Sequence, residues 1–296
     1  MDIGEVEKLQ KETRFDRFIG TLQKVTLKKY EYGDLFKMGN DRLGYYSLKI
    51  RKNDNRNILE SLELLKIIND AENIINENVD VIEKDNLVII ISEWLTGKQP
   101  IDDCRDELPE FFCKLAILNK NNIVGGPFTS MYLDGNYFNS ANELIDWELN
   151  YHKKYFPESF DQKIILEVLG NLKCGMSCII NEDMNCGNLF ITSDGKFKIV
   201  DTDWIIKGVN LYQFQHFDYF GFDGKKWYKI TDEAAICYAA YFDTLGTGRE
   251  GANEQIRAVE LLNTLRENTC RIHSGKENEK EMEGRIKTIL EKKRFI

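Results

Sequence analysis

Four side chains that carry oxygen atoms lie close together in the stretch NEDMNCGNLFITSDGKFKIVDTDW: Asp183, Asn188, Asp201 and Asp203. Asp183 and Asn188 are separated by four residues, which is the spacing of the catalytic-loop aspartate and asparagine of kinases. In that arrangement the aspartate orients the hydroxyl that attacks a phosphate, and the asparagine holds a magnesium ion through its amide oxygen. The stretch therefore predicts chemistry on a phosphoryl group with Mg²⁺.

A predicted β-hairpin explains the longer spacing between Asn188 and Asp201. The apolar runs LFIT and FKIV flank a turn that contains Asp194 and Gly195, and an Asp-Gly pair between apolar runs is a strong hairpin signal. The second strand ends at Asp201, so the hairpin would return the chain and place Asp201 beside Asp183 and Asn188. A surface hairpin with acids scattered by chance is the alternative, but it requires all these coincidences at once.

The amino-terminal part supplies a candidate cation, Lys49, at the end of the apolar run YYSLKI. A strand lysine followed by a helix with glutamates is typical of sites in which the lysine contacts nucleotide phosphates and a glutamate steadies it. Glu60 and Glu63 compete for that second role, and we favour Glu60. Gly33 stands where a turn over the phosphates is expected, and Glu93, in SEWLTG, where a base would be held. Lys49 as a solvated strand residue is the alternative.

The elements that must position these residues change in character near residue 95. Before it, the pattern predicts strand, strand, strand, helix, strand, strand. After it, the pattern is mainly helical apart from the hairpin. We expect domains at 1–95 and 96–296. The predicted strands occupy 24–33, 34–50 (two strands) and 79–94 (a hairpin), and the predicted helices 57–70, 107–120, 140–156, 161–173, about 232–272 and 276–294.

Composition and charge exclude several classes of partner. The chain of 296 residues has 42% hydrophobic residues and a formal net charge of −9, so a nucleic-acid partner is disfavoured because it needs a basic surface. No apolar run is long enough to span a membrane, and no signal peptide is visible. The seven cysteines are scattered and odd in number, which favours reduced thiols and a cytoplasmic location. Cys174 and Cys178 are interpreted as core residues.

The sequence resembles the aminoglycoside phosphotransferase and choline kinase family. That family has a segment like HGDLHPGN, two strands, and then IDWD or IDFE, where this chain has NEDMNCGN and VDTDW. The resemblance implies an α+β, two-lobed protein-kinase-like fold with a small antiparallel sheet and one helix in the first lobe. It implies ATP or GTP and Mg²⁺ as cofactors, Asp183 as the catalytic residue, Asn188 and Asp201 as magnesium ligands, and Asp203 near metal or substrate.

The resemblance implies a small-molecule substrate with a hydroxyl group. An amino-alcohol such as choline, an aminoglycoside and a sugar are the alternatives, and the acidic balance favours a cationic one. Trp204 and the aromatic residues of 210–230 could form a cage for a quaternary ammonium, although core packing is the favoured interpretation. Asn181 and Cys186 replace the usual histidine and proline. These departures motivate a second hypothesis, an inactive nucleotide-binding or scaffold protein. Transfer of a nucleotidyl group is a third.

Overall fold

The protein is described here from a computed structural model. The structure describes residues 4, 8, 23–24, 33–40, 44–52, 58–76, 78–98, 107–130, 136–214, 232–275 and 279–296. Within these ranges the chain forms ten β-strands and seven α-helices, arranged as a small antiparallel-sheet lobe followed by a mainly helical lobe. The predicted α+β fold class is confirmed. The predicted boundary at residue 95 stays a prediction.

The first lobe is built on a five-stranded antiparallel sheet in the order β1-β2-β3-β5-β4. Alternate residues of its central strands point to opposite faces. Phe36, Met38, Leu48 and Ile50 are buried on one face, which leaves Lys49 on the other. The strands are β1 Gln23–Lys24, β2 Gly33–Asn40, β3 Gly44–Lys52, β4 Asn78–Lys84 and β5 Leu87–Glu93.

The helix of the first lobe, α1 (Ile58–Ile67), contacts both lobes. Ile58 and Leu62 pack against β5 at Val88 and Ile90. Leu64, further along the helix, packs against Ile179 and Ile205 of the second lobe. The predicted helix at 57–70 is therefore confirmed, and its apolar residues divide between two partners.

The second lobe contains two small sheets, and one of them includes the hairpin. One pairs β7 (Ser177–Asn181) with β10 (Ile205–Val209), and the other has the order β6-β8-β9. Its strands are β6 Gly97–Lys98, β8 Leu189–Thr192 and β9 Phe197–Ile199. Leu189 pairs with Ile199, so the predicted hairpin is confirmed. Gly195 has a φ of +79°, a conformation that glycine adopts without a Cβ penalty.

The remaining helices enclose one large apolar core. They are α2 Leu108–Asn121, α3 Ala141–Lys153, α4 Gln162–Gly170, α5 Asp232–Leu245, α6 Arg249–His273 and α7 Glu279–Glu291. Met282, Ile286 and Ile289 of α7 are buried, which confirms the apolar stripe predicted for the last helix. In the part of the chain that is described, no helix has the length and apolar character to cross a membrane.

Three predictions about these elements need correction or fall outside the described ranges. The helix predicted at about 232–272 is two helices, because Gly246, with a φ of +81°, ends α5 three residues before α6 begins. The last residues of the helix predicted at 161–173 form a 3₁₀ turn, and Cys174 in that turn is exposed rather than in the core. Cys178 is buried as predicted. Most of the strand predicted at 24–33 lies outside the described residues.

Candidate active site

The segment after β7 folds back on itself around Asp183. The Asn188 side-chain amide donates to the backbone carbonyl of Asp183 at 2.8 Å and lies 3.5 Å from the Asp183 Oδ2 atom. Asn185 accepts a hydrogen bond from the Gly187 backbone N–H at 2.8 Å, which forms an Asx turn. These local bonds hold the Asp183 and Asn188 side chains against each other, as their spacing predicts.

The hairpin delivers Asp201 to the same place. The Val200 N–H donates to the Asn188 carbonyl at 2.8 Å, so the end of β9 is tied directly to the loop. Asp201 has a φ of +55°, an unusual conformation for a residue other than glycine, which marks strain held by the surrounding structure. Asn181 bonds in both directions: its side chain donates to the Asp201 carbonyl at 3.4 Å and accepts from the Asp183 N–H at 3.2 Å.

The first lobe inserts Lys49 into this group of acids. The Lys49 Nζ atom lies 2.5 Å from Asp201 Oδ1 and 2.7 Å from Asp203 Oδ1. The three side chains retain only 12%, 17% and 13% of their surface exposure, respectively. Partial burial weakens solvent screening, so these ion pairs are stronger than surface pairs.

A second cation of the same strand, Arg51, meets the same acid. The Arg51 Nε atom lies 2.8 Å from Asp203 Oδ2, and the arginine side chain is 5% exposed. Ser61 of α1 donates to the Asp203 backbone carbonyl at 2.8 Å. The prediction that Glu60 steadies Lys49 needs correction: the Glu60 carboxylate accepts a hydrogen bond from Tyr137 at 2.6 Å. Asp203 occupies the place predicted for the helix glutamate.

The environment of Asp183 favours a protonated carboxyl group. Burial and the nearby charge of Asp201 raise the pKa of Asp183 to about 7, against the opposing effect of Lys49 and the Asn188 hydrogen bond. A carboxyl group whose pKa lies near neutral pH is suited to accept a proton during a reaction. A raised pKa beside a second carboxylate is also typical of functional sites.

The oxygen atoms of this site suit a hard cation whose remaining coordination positions are filled by other ligands. The carboxylate of Asp201 and the amide of Asn188 are oxygen ligands of the kind that Mg²⁺ prefers, and the repulsion between Asp183 and Asp201 leaves negative charge for a cation to offset. Among the described residues, no group of three or more His, Cys, Asp or Glu side chains is arranged to hold a metal. Mg²⁺ commonly takes one or two protein ligands and fills its remaining positions with water and phosphate oxygens.

The other predicted residues surround the site with less direct evidence. Gly33 begins β2 opposite Arg51, and the residues just before it lie outside the described ranges. Glu93 ends β5, and its carbonyl accepts from the Asn76 side chain at 3.3 Å. The Trp204 carbonyl accepts from the Glu182 N–H at 3.0 Å. The roles predicted for these three residues stay predictions.

The aromatic residues considered for a cage with Trp204 are only partly within the described residues. Tyr212 and Phe214 are each 1% exposed and belong to the core, which agrees with the favoured interpretation of packing. The aromatic residues of 215–230 lie outside the described ranges, as does His216. His152 is buried against Thr269 at 2.8 Å, and the His273 ring bonds to the Tyr155 hydroxyl at 2.7 Å. His152 also lies 3.7 Å from the Glu148 carboxylate, and both described histidines are interpreted as structural.

Sequence reasoning missed the buried side chain next to Asp183. Glu182 is 0% exposed, and its carboxylate accepts a hydrogen bond from Ser130 at 2.7 Å. The Arg266 guanidinium lies 3.6 Å from it and 2.5 Å from the Glu148 carboxylate. A glutamate inside the apolar run that leads to Asp183 was the available signal, because an acid at a core position requires a cation.

Comparisons with known proteins identify the fold. No family model and no curated protein matches the sequence. The solved structure of the aminoglycoside phosphotransferase APH(4)-Ia is 15% identical with a TM-score of 0.64, and the match covers 98% of each chain. A fructosamine-3-kinase from Haemophilus somnus 129PT is 15% identical with a TM-score of 0.56, covering 92% of each chain.

A more distant solved structure extends the same group. The ethanolamine kinase of Plasmodium vivax is 15% identical with a TM-score of 0.53, and the match covers 91% of this chain and 80% of that one. These identities establish shared architecture and leave the chemistry to be argued from the residues. The chain has the protein-kinase-like fold of aminoglycoside phosphotransferases and related small-molecule kinases.

Proposed function

We propose that the chain is a magnesium-dependent phosphotransferase, which moves the terminal phosphoryl group of ATP or GTP to a hydroxyl group of a small molecule. The observation that carries this proposal is the meeting of Lys49, Asp183, Asn188 and Asp201 where the two lobes face each other. The fold supports it, since one solved APH(4)-Ia complex contains AMP-PNP and hygromycin B.

Each residue has a role that its surroundings support. Asp183 orients the acceptor hydroxyl and takes its proton, for which a pKa of about 7 is suited. Lys49 now pairs with Asp201 and Asp203. It would bind phosphate oxygens once Asp201 holds Mg²⁺ instead. Asn188 and Asp201 would hold Mg²⁺, which would neutralise phosphate charge. Catalysis in such a site depends mainly on positioning and electrostatics.

The acceptor we propose is a small cationic molecule, either an aminoglycoside or an amino-alcohol. The net charge of −9 supports a cationic substrate. Asp203 and Trp204 follow Asp201 directly and are the proposed residues on the substrate side. Lys49 and Gly33 on the nucleotide side, with Glu93 near the base, complete the proposed site. A cytoplasmic location fits the free thiols among the described cysteines.

Nucleotide binding by thermal shift tests this proposal first. A ligand that binds only the folded state raises the melting temperature, by an amount that grows with ligand concentration. We expect ATP or GTP to raise it in the presence of Mg²⁺, and Asp201→Ala to abolish the magnesium-dependent part. Asp194→Ala, in the exposed hairpin turn, is the matched control. A folded protein that shows no shift with either nucleotide would contradict the proposal.

An inactive nucleotide-binding or scaffold protein remains the second candidate. Asn181 and Cys186, which stand in place of the family's usual histidine and proline, favour it. Against it, the Asn181 amide makes hydrogen bonds to both Asp183 and Asp201, which preserves the link that a histidine would provide. Magnesium-dependent nucleotide binding without ADP release on any aminoglycoside or amino-alcohol would favour this candidate.

A further inference from the structure

The face of the first-lobe sheet that carries Lys49 also carries a polar row of side chains. Strand register pairs Lys37 with Ser47, Ser47 with Ser92, and Ser92 with Asn78. Lys49 belongs to the next row, where it pairs with Leu35 and Ile90. Rows two residues apart lie on the same face, about 7 Å from each other along the strands.

This polar row lies between Lys49 and the start of the segment that joins the lobes. The Trp94 N–H donates to the Tyr45 carbonyl at 3.0 Å, so the connecting segment leaves the sheet beside Tyr45. A nucleotide with its phosphates at Lys49 and its base towards Trp94 would lie along this row, with the edge of its base near the Lys37 ammonium group. Ser47 and Ser92 have small side chains and are both partly exposed.

Lys37 places a positive charge at this end of the sheet. Its Nζ atom lies 4.2 Å from the centroid of the Tyr45 ring and 5.1 Å from that of the Trp94 ring. A cation over two aromatic faces is attracted by both rings and is held in position. Within the described part of the chain, the charged group of Lys37 contacts these rings and no carboxylate.

We infer that Lys37 selects the purine base and makes the site prefer GTP to ATP. This inference rests on the proposed function, because it takes the phosphates to lie at Lys49. A lysine ammonium group donates hydrogen bonds and accepts none. Guanine presents two acceptors, O6 and N7, on the edge where adenine presents N7 and a donating amino group. The ammonium group therefore matches guanine and opposes the amino group of adenine.

Three nucleotides distinguish a contact between Lys37 and O6 of the base from contacts to other groups of the base. GTP and inosine triphosphate both carry O6, whereas ATP carries the amino group, and inosine triphosphate lacks the 2-amino group of GTP. We expect GTP and inosine triphosphate to bind about tenfold more tightly than ATP in the presence of Mg²⁺, as a charge-assisted hydrogen bond warrants. Dissociation constants are measured by titrated thermal shift and by calorimetry on the full chain.

Lys37→Met tests the residue itself. We expect it to remove the preference by weakening GTP and inosine triphosphate about tenfold while ATP changes little. Lys37→Arg should retain the preference, because arginine also only donates. Lys52→Met is the matched control, since Lys52 is an exposed lysine of β3 on the opposite face of the sheet.

The outcomes separate this inference from the proposed function. Equal or tighter binding of ATP in the wild type, lost in Asp201→Ala, would overturn the base preference and leave the phosphotransferase proposal standing. A GTP preference that survives Lys37→Met would overturn the role of Lys37. The absence of a shift with all three nucleotides would overturn both.

Discussion

Asp203 joins two cations that come from one strand. Its two carboxylate oxygens accept from Lys49 at 2.7 Å and from Arg51 at 2.8 Å, while its backbone carbonyl accepts from Ser61. Residues two apart on a strand point the same way and lie about 7 Å apart, so one carboxylate between them can satisfy both. The acid that steadies Lys49 therefore comes from the second lobe, and the two lobes share an ion-pair cluster.

Removing that carboxylate should cost stability as well as nucleotide affinity. We expect Asp203→Asn to lower the free energy of unfolding by roughly 2–4 kcal/mol, because Arg51 is 5% exposed and would lose a charged partner. Urea unfolding measures this cost, and titrated thermal shift measures the loss of nucleotide binding.

Two matched variants control this prediction. Glu60→Gln should change the free energy of unfolding by less than about 1 kcal/mol, because its hydrogen bond to Tyr137 is exposed. Asp194→Asn, whose pair with Lys196 is solvent-exposed, should change it equally little. A larger loss in Glu60→Gln than in Asp203→Asn would restore the helix glutamate to the role that sequence reasoning gave it.

At the scale of elements, the sequence predicts what local patterns encode. The strands β2 to β5, the hairpin of β8 and β9, and most helices agree with the predicted ranges, since alternation, the Asp194-Gly195 turn and breaker-free apolar runs are local signals. The break between α5 and α6 was missed although Gly246 and Gly248 mark it. Two glycines in three residues are a stop signal that the long helical pattern on either side obscured.

Side-chain partners were harder to predict than elements, for a physical reason. Which acid meets Lys49 depends on how α1 and the hairpin are oriented in space, and the sequence gives only their order. The same holds for Arg266, which is more than 80 residues from the Glu182 it approaches. Local spacing did bring Asp183 and Asn188 together, because a loop with only four residues between them leaves few alternatives.

The buried cluster of Glu148, Arg266 and Glu182 ties two helices to the loop that contains Asp183. Glu148 lies on α3, Arg266 on α6, and Glu182 immediately before Asp183. All three side chains are at most 4% exposed, so each charge depends on the others. Burial favours the neutral form of Arg266, but the charges of Glu148 and Glu182 outweigh it and raise its pKa.

Arg266→Met should therefore be strongly destabilising. It leaves two buried carboxylates without their cation, and breaking a buried ion pair in this way costs roughly 3–5 kcal/mol. Arg271→Met is the matched control on the same helix, because Arg271 also pairs with two glutamates but is 27% exposed. Its loss should be about 1 kcal/mol.

The triple variant Glu148→Gln, Arg266→Met, Glu182→Gln separates charge from packing. It removes all three charges and should recover part of the stability lost in Arg266→Met. If urea unfolding gave the same loss in the free energy of unfolding for Arg266→Met and Arg271→Met, the buried cluster would contribute no more to stability than the more exposed pairs of Arg271.

At the scale of the whole molecule, two groups give the stability of the free protein opposite slopes with pH. Burial raises the pKa of Glu148, but the charge of Arg266 and hydrogen bonds from His152 and Arg266 lower it to about 2, from 4.5. Its contribution is present above pH 4.5 and is lost as the pH falls towards 2. The pKa of Asp183 moves the other way, from 3.8 to about 7, so its ionisation costs stability as the pH rises to 7.

The free energy of unfolding should therefore reach its highest values on the acidic side of neutrality and decline towards pH 7. Asp183→Asn removes the group responsible for that decline. We expect this variant to be more stable than the wild type at pH 8 by roughly 1–3 kcal/mol, with the difference shrinking towards pH 4, while any phosphotransferase activity is lost. Urea unfolding without Mg²⁺, at steps of pH from 4 to 8, measures both curves, and Asp194→Asn serves as the surface control. A difference that is constant across pH would show that the Asp183 carboxyl group titrates normally in the folded protein, and the proton-accepting role proposed for it would lose its electrostatic basis.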